Sequence, residues 1–241
     1  MELGFTQLPH DLEMYRKESR GKFILLVANI DDLLYTGDNT ELLDRFEVDM
    51  KEKLEVTINH NITQFLGLNI TQSATSIHLS AAKYAEALAK KFAVALINLT
   101  TPFRTLPNHE PDTQPLSIED HRLYKQQLGC LLFAAIMCRP DLSYIARQLA
   151  QYLKRPQGEN LVDLRQALQY FVSTPYIGLT YEANLNATLQ LHGYVDADHA
   201  GDTDNRCSCT VFNFQLQPAG LISRNSQKQE LIKLSSAEAE C

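Results

Sequence analysis

The stretch that decides the fold is Phe23-Ile-Leu-Leu-Val-Ala-Asn-Ile-Asp-Asp-Leu-Leu-Tyr-Thr-Gly37, in which two short apolar runs flank a pair of adjacent carboxylates. Runs of this length that are rich in Val, Ile, Leu, Phe and Tyr are typical of buried strands. Gly37-Asp38-Asn39 then supplies a stop signal. The sequence therefore predicts a strand, a tight turn and a returning strand, with Asp31 and Asp32 at the tip of the hairpin.

Two interpretations of the acid pair stand side by side. Asp is a good turn former, so a solvated turn is one of them, and it is the better one for an isolated Asp-Asp pair. However, two acids between apolar strands are costly unless they are solvated, capped or neutralised by a cation. Carboxylate oxygens are ligands that suit Mg²⁺. The second interpretation is thus a metal site built on Asp31 and Asp32, which is polymerase chemistry.

Composition places the chain among ordinary globular proteins. Its 241 residues are 44% hydrophobic and 21% charged, and no apolar run approaches the roughly 20 residues of a membrane span. The segment Met1-Glu-Leu-Gly-Phe5 has no signal-peptide pattern, so a cytoplasmic or nuclear location is predicted. The net charge of −7 argues against a free-standing nucleic-acid binder. Five cysteines without Cys-x-x-Cys spacing suggest neither a disulfide framework nor a zinc site.

The first half of the chain continues with alternating helix and hairpin signals. Asp38 or Asn39 is predicted to cap a helix that reaches Met50, with apolar residues three and four apart. Residues 64–79 alternate as a β-hairpin does. Ser80 is then expected to cap a helix over residues 81–96, and residues 100–117 form a Pro-rich linker. The basic side of that second helix carries Lys83, Lys90 and Lys91.

The second half changes from helical to strand patterns. Ser117 with Asp120 resembles a capping pair, and residues 128–137 form an apolar run typical of a buried helix. Pro140 suits the first turn of a helix to about Leu153, and a third helix is predicted over residues 160–172. Strands are predicted over residues 178–181, 189–196, 209–216 and 220–223, before a helix that opens at Ser235.

Ala28-Asn-Ile-Asp-Asp-Leu-Leu-Tyr-Thr-Gly-Asp-Asn39 resembles the Tyr-x-Asp-Asp block of reverse transcriptases, in the form found in copia-type LTR retrotransposon polyproteins. Asn29 stands where that family has its Tyr. The chain has no Trp, and His199 and Arg224 stand where the family usually shows one. Later segments fit the same family in the same order: Phe65-Leu-Gly-Leu-Asn-Ile70, Leu79-Ser with Lys83-Tyr84, Tyr124-x-x-x-Leu-Gly129, Arg139-Pro-Asp-Leu-Ser-Tyr144, Gly193-Tyr-x-Asp-Ala-Asp-x-Ala-Gly-Asp202 and Ser235-Ser-Ala-Glu-Ala-Glu240.

The resemblance implies an α+β fold in four parts. These are a partial reverse transcriptase palm over residues 1–79, a thumb with the Pro-rich linker over 80–116, a helical connection over 117–176, and a truncated RNase H-like domain with a mixed sheet over 177–241. It also implies Mg²⁺ or Mn²⁺ as cofactor. The implied partners are a primed template or an RNA–DNA hybrid, with weak affinity because the pI is near 5.5.

A second acidic cluster extends from Asp196 to Asp204 at the end of a predicted strand. An EF-hand loop counted from Asp196 would need an oxygen ligand at position five and Glu at position twelve. Those positions hold Ala200 and Cys207, so the calcium interpretation fails, although Gly201 fits.

The family instead implies a two-metal RNase H site at this cluster, with Asp196 as its first ligand and the metals about 4 Å apart. Asp198 shares the strand face of Asp196 and is a weaker candidate. Glu240 is the implied second ligand. Glu238 is expected to be engaged in a capping box with Ser235.

Both implied sites are incomplete in this sequence. The family has a further palm Asp and its fingers upstream of the hairpin, and further RNase H carboxylates downstream of Glu240. We therefore expect a remnant of a copia-type Pol polyprotein that is not catalytically self-sufficient and binds its metal weakly. Two alternatives stay open: a working subunit completed by another chain, and a host-retained, non-catalytic fragment that binds related element proteins or nucleic acid.

Overall fold

The Asp31-Asp32 hairpin predicted from the sequence is present in the computed structural model. The structure describes residues 3–103, 116–183, 188–197, 206–232 and 235–239. Across these residues it has mixed α and β architecture with three antiparallel sheets and six helices, which confirms the α+β class. The chain divides into two compact units, Met1–Phe65 and Leu66–Cys241. None of the described helices is both long and apolar enough to cross a membrane.

The first unit is built on a four-stranded antiparallel sheet in chain order. Its strands are β1 Thr6–Leu8, β2 Asp11–Ser19, β3 Lys22–Asn29 and β4 Asp32–Gly37. β3 and β4 are the predicted hairpin, whereas β1 and β2 precede the stretch for which the sequence predicted strands. A two-residue strand, β5 Gln64–Phe65, ends the unit.

One helix covers one face of this sheet. It is α1, Thr40–Lys53, and the side chain of Asn39 accepts a hydrogen bond from the backbone N–H of Leu42 at 2.9 Å, as the capping prediction required. Phe46 is buried, with its ring centroid 5.3 Å from that of Phe5 and 5.1 Å from that of Tyr35. The core of the unit is small, with five buried apolar residues: Phe5, Ile24, Leu26, Phe46 and Met50.

The second unit begins with the predicted hairpin of β6 Leu68–Gln72 and β7 Ser76–Ser80. Strand β8, Gly178–Glu182, completes this antiparallel sheet by pairing with β7. His78 and Thr180, which are 102 residues apart in the sequence, share a 2.9 Å hydrogen bond across that pairing. Sequence periodicity predicted each strand, but it could not predict this long-range partner.

The prediction for the next helix is wrong at both ends. Helix α2 spans Ala82–Lys91, its N-cap is Ala81, and no side chain caps it. Ser80 is a buried residue of β7 and is therefore not the cap. The helix ends before Leu96 because Ala93 adopts a left-handed backbone conformation with φ near 49°.

A helical bundle follows, and it supplies most of the core of the second unit. Ser117 caps the first helix by accepting a hydrogen bond from the N–H of Asp120 at 3.1 Å, as predicted. Pro140 opens a 3₁₀ turn before the next α-helix begins. The elements are α3 Ile118–Met137, the turn Pro140–Leu142, α4 Ser143–Gln151 and α5 Gly158–Ser173. The predicted linker lies mostly outside the described residues, in 104–115.

The last sheet has the order β11-β10-β9 and is antiparallel throughout the described residues. The mixed pairing named in the prediction does not occur there. Its strands are β9 Gln190–Ala197, β10 Cys209–Gln217 and β11 Gly220–Lys228, and the short helix α6, Ser236–Ala239, follows. The assignment of these parts to palm, thumb, connection and RNase H stays a prediction.

Candidate functional site

The tip of the β3–β4 hairpin is a two-residue loop. Asn29 pairs with Asp32, and Ile30 with Asp31 forms the turn between them. Ile30 has φ near 50°, a left-handed conformation that is strained for a β-branched residue. Its side chain is 96% exposed, so packing does not explain the choice of residue. The loop thus stores local strain at the point where it presents the carboxylates.

Asp31 and Asp32 are both exposed and lie at the wall of a cavity of about 460 Å³. Leu33, Tyr35 and Glu55 contribute to the same wall. Because both carboxylates are exposed to solvent, neither needs a cation to offset the cost of a buried charge. The hairpin is therefore compatible with the solvated turn, and it also leaves both acids accessible to a ligand.

A partly buried hydrogen bond fixes the wall behind the acids. The Tyr35 hydroxyl donates to Oε1 of Glu47 on α1 at 2.7 Å. Burial first, and then the neighbouring Glu47 carboxylate, raise the pKa of Tyr35 to about 12. Nε2 of His60 lies 3.6 Å from the other carboxylate oxygen of Glu47. The phenol therefore stays neutral near pH 7 and holds β4 against the helix.

Asn29 occupies the position where the family has an aromatic ring. Its side-chain amide approaches Oε2 of Glu13 on β2 at 3.5 Å, which is the long end of hydrogen-bond geometry. A short amide can neither stack on a base nor fill the volume of a tyrosine ring. This departure removes an apolar surface beside the acid pair.

The donors at the hairpin suit a divalent cation in kind but not in number. Mg²⁺ binds carboxylate oxygens in near-octahedral geometry, and a two-metal site shares several carboxylates between its ions. Within the described part of the chain, no group of three or more His, Cys, Asp or Glu side chains could hold a metal ion. Asp31 and Asp32 by themselves therefore do not fit a two-metal centre.

The second predicted site is only partly within the described residues. Asp196 lies on β9, pairs with Val211 of β10 and is exposed. Asp198 and Glu240 lie outside the described residues, so their approach to Asp196 stays a prediction. The N–H of Glu238 donates to Oγ of Ser235 at 3.2 Å, which is the first half of the predicted capping box.

Two arginines carry structural roles that the sequence analysis did not assign. Arg139 is fully buried, donates to both carboxylate oxygens of Asp141 and donates to the backbone carbonyl of Thr174 at 2.8 Å. Its guanidinium lies 5.3 Å from the ring centroids of both Tyr170 and Phe171. The spacing Arg-x-Asp before a helix is the signal that could have indicated this buried pair.

Arg224 joins the last sheet to the bundle. It donates from β11 to Oγ of Ser143 and to the carbonyls of Ala135 and Ile136 in the last turn of α3. Burial lowers its pKa from the ordinary arginine value. A cation at the carboxyl end of a helix is favourable because it meets the unpaired carbonyls there.

Comparison with known proteins finds a family match in the first part of the chain. The family described as reverse transcriptase (RNA-dependent DNA polymerase) matches residues 1–105, which include the hairpin. No solved structure matches the chain.

Three relatives align with nearly the whole chain. The Retrovirus-related Pol polyproteins from transposons RE2 and RE1 of Arabidopsis thaliana are 30% and 29% identical over 100% of the chain, which spans 16% of each polyprotein. A transposon Ty5-1 protein of Saccharomyces cerevisiae is 28% identical over 99% of the chain and 77% of its own length. Together these matches support a copia-type retrotransposon Pol fragment, to whose relatives the chain is similar over nearly its whole length.

Proposed function

We propose that the chain supplies part of a copia-type reverse transcriptase joined to the beginning of an RNase H-like domain, and that it does not catalyse either reaction alone. The observation that carries the proposal is the hairpin tip, where two adjacent exposed carboxylates border a cavity within the matched residues. In this proposal residues 1–79 belong to the palm, 80–116 to the thumb and linker, 117–176 to the connection, and 177–241 to the nuclease part.

The number of ligands is the reason for proposing an incomplete polymerase site. Nucleotidyl transfer with two metals needs carboxylates that coordinate both ions, so that the ions can align the attacking and leaving oxygens. Asp31 and Asp32 are too few for this in the described part of the chain. A further carboxylate from a separate stretch of polypeptide would be required to complete the site.

Nucleic acid is the proposed partner, as a primed template or an RNA–DNA hybrid. The chain has 22 Lys and Arg against 29 Asp and Glu, so its average field repels phosphate. Binding would depend on local basic surfaces such as Lys83, Lys90 and Lys91 on or near α2, and it would weaken steeply with salt.

For the nuclease part, we propose Asp196 as the first metal ligand, with Glu240 as the second and Asp198 as a weaker candidate. Asp196 is exposed near the carboxyl end of β9, which leaves its carboxylate accessible. Two ligands would hold Mg²⁺ or Mn²⁺ weakly, because each ion prefers more protein or substrate oxygens than this.

Mn²⁺ titration followed by electron paramagnetic resonance tests the proposal directly. We expect weak binding that falls when Asp31→Asn and Asp32→Asn are combined. Asp44→Asn, which removes an exposed carboxylate of α1, is the matched control and should leave binding unchanged. Equal binding by the double variant and wild type would mean that the hairpin is not a cation site.

Cleavage of an RNA–DNA hybrid by the purified chain with Mn²⁺ tests the nuclease part. We expect no cleavage by wild type or by Asp196→Asn. Cleavage by wild type that disappears in Asp196→Asn would show that the nuclease site is complete in this chain.

A further inference from the structure

Three cationic side chains from three separate segments line one surface cavity of the first unit. Arg20 lies in the turn between β2 and β3, Lys22 begins β3, and Arg45 lies on α1. The cavity has a volume of about 270 Å³, and its lining also includes Ser19, Asn39 and Glu41. We call this cavity the basic notch and define it by Arg20, Lys22 and Arg45.

The cations of the basic notch differ from their neighbours on the same sheet, which are paired. Arg16 lies 3.2 Å from Glu18 on β2. Lys17, next to it, lies 4.0 Å from Asp49 of α1. Among the described residues, no carboxylate forms an ion pair with any of the three cations of the notch, and all three are exposed. Their charge is therefore open to an anionic ligand.

The acids beside the notch have other roles. Oδ1 of Asp38 accepts a hydrogen bond from the backbone N–H of Phe23 at 3.0 Å. Glu41 lines the notch, but it also lies in the first turn of α1, where an acid is favourable because the N-terminal end of a helix is positive. Three positive charges and one negative charge give the notch a formal charge of +2, on a chain whose net charge is −7.

The neutral polar residues of the notch add hydrogen-bond donors. Oδ1 of Asn39 accepts from the backbone N–H of Leu42 at 2.9 Å, so the remaining polar group of that side chain is its amide nitrogen, which donates. Ser19 contributes a hydroxyl. Guanidinium, ammonium, amide and hydroxyl groups all donate to phosphate oxygens, and a guanidinium can do so with two N–H groups at once. The lining therefore matches phosphate, an anion that is rich in acceptors.

The backbone at Arg20 supplies an independent indication of a ligand. Arg20 and Gly21 form the two-residue loop between β2 and β3, and their φ angles are 52° and 75°. Such loops favour Asn, Asp or Gly at the first position, because an arginine is strained in the left-handed conformation. The side chain of Arg20 is exposed, so packing does not explain the choice of residue. Strained residues of this kind cluster at ligand sites.

We propose that the basic notch binds one or two adjacent phosphate groups, supplied by a nucleic-acid strand or by a free ligand of the pyrophosphate type. Arg20 and Arg45 offer planar donor groups for phosphate oxygens, and Lys22 adds a point charge. The notch lies at the start of β3, and the carboxylates of the hairpin follow the end of that strand, roughly 23 Å away. The site is thus separate from the acid pair, and it requires neither a metal ion nor the catalytic role proposed for the hairpin.

Fluorescence anisotropy of a labelled single-stranded oligonucleotide, measured with the full chain in EDTA across a salt series, tests the strand as the source of phosphate. We expect a dissociation constant of about 1–100 μM at physiological salt, the usual range of non-specific binding. Each phosphate contact to a single strand contributes about 0.7 to the slope of log K against log salt. The notch variant, which combines Arg20→Asn, Lys22→Gln and Arg45→Gln, should therefore reduce that slope by about 2.

Isothermal titration calorimetry with sodium pyrophosphate in the same EDTA buffer tests the free ligand. We expect binding to wild type at low salt that weakens at least about tenfold in the notch variant, because the charged donors are gone. The relative affinity of the two probes identifies the source. Tighter binding of pyrophosphate assigns the notch to a free ligand, and tighter binding of the oligonucleotide assigns it to a strand.

A charge-matched control variant combines Lys51→Gln, Arg122→Gln and Lys125→Gln, which remove three exposed cations outside the notch. It should leave the salt slope and the affinity for pyrophosphate unchanged. Arg20→Asn alone separates binding from folding. It should weaken the binding of both probes without lowering the melting temperature measured by circular dichroism, because Asn suits the first position of this loop.

Three results would overturn the proposal. The first is a notch variant that binds both probes with the same affinity and salt slope as wild type. The second is an equal loss of binding in the notch variant and in the charge-matched control, which would mean that the net charge of the chain governs binding. The third is a lower melting temperature for Arg20→Asn, which would mean that Arg20 serves the fold.

Discussion

The two acid-bearing strands of this protein differ in the sequence separation of the residues that surround them. Asp31 and Asp32 lie in a hairpin whose strands are joined by two residues, and Asn39 caps the next helix almost at once. Asp196 lies on β9, whose partner β10 begins at Cys209 and whose other edge is open among the described strands. The hairpin is a local structure, whereas the surroundings of Asp196 depend on distant segments.

The cores of the two units also differ in size. Among the described residues, five buried apolar residues form the core of the unit with the hairpin, and twenty buried residues form the core of the unit with the bundle. Small domains bury a smaller fraction of their surface and have little stability to spare. The acid pair therefore lies in the unit with the smaller core, which we expect to be the less stable of the two.

Removing the central ring of the small core should have the largest effect. Phe46→Ala is expected to cost about 4 kcal/mol, because it removes buried surface and leaves a cavity against Phe5 and Tyr35. Hydrogen exchange resolved by peptide should show lost protection in β3, β4 and α1. Val48→Ala, on the exposed side of α1, is the control. Full protection of β3 in Phe46→Ala would mean that this core is not what holds the hairpin.

The buried ion pair of the larger unit should come next. Arg139→Met is expected to cost about 3 kcal/mol, because it leaves the Asp141 carboxylate without its cation and removes one of the donors to the Thr174 carbonyl. Urea unfolding measures the loss. Arg122→Met removes an exposed pair with Glu119 and should leave unfolding unchanged.

A second substitution sharpens that result. Arg139→Met combined with Asp141→Leu should recover part of the lost stability, because it also removes the uncompensated carboxylate. No recovery would assign the cost to packing against Tyr170 and Phe171 instead.

The local elements were predictable from the sequence because their signals are local. The apolar runs gave β3 and β4, and the capping residues Asn39 and Ser117 marked where α1 and α3 begin. Ser80 shows the limit of this reasoning. It has the chemistry of a cap, but its place in β7 is decided by pairing with Gly178 of β8.

Long-range contacts could not be predicted from the sequence, because local patterns do not identify partners that are far apart along the chain. Nothing near Arg139 or Arg224 in the sequence shows that the first stacks on α5 or that the second reaches the end of α3. β1 and β2 were missed because their residues are mostly polar and none of them is buried. At the candidate sites, the hairpin acids could be predicted and located, whereas Asp198 and Glu240 fall outside the described residues.

The smallest effect concerns the phenol behind the acid pair. The pKa of Tyr35 is near 12 in the folded chain against 10.0 ordinarily, so its neutral form is favoured by folding. The contribution of Tyr35 to the free energy of unfolding is therefore present below pH 10 and is lost as the pH rises from 10 to 12. Tyr35→Phe should therefore be slightly less stable than wild type at pH 8, and the difference should shrink toward pH 12. Melting followed by circular dichroism across this range measures it, and a difference that grows with pH would contradict the assignment.

Template-directed nucleotide incorporation by the purified full chain, with Mg²⁺ and then Mn²⁺, tests most directly whether the accessible acid pair is a complete polymerase site. Wild type, Asp31→Asn and the Asp44→Asn control should all give the same background level of incorporation, because two carboxylates cannot coordinate both metals. Incorporation by wild type and Asp44→Asn that disappears in Asp31→Asn would contradict the account and show that this chain is a polymerase in its own right.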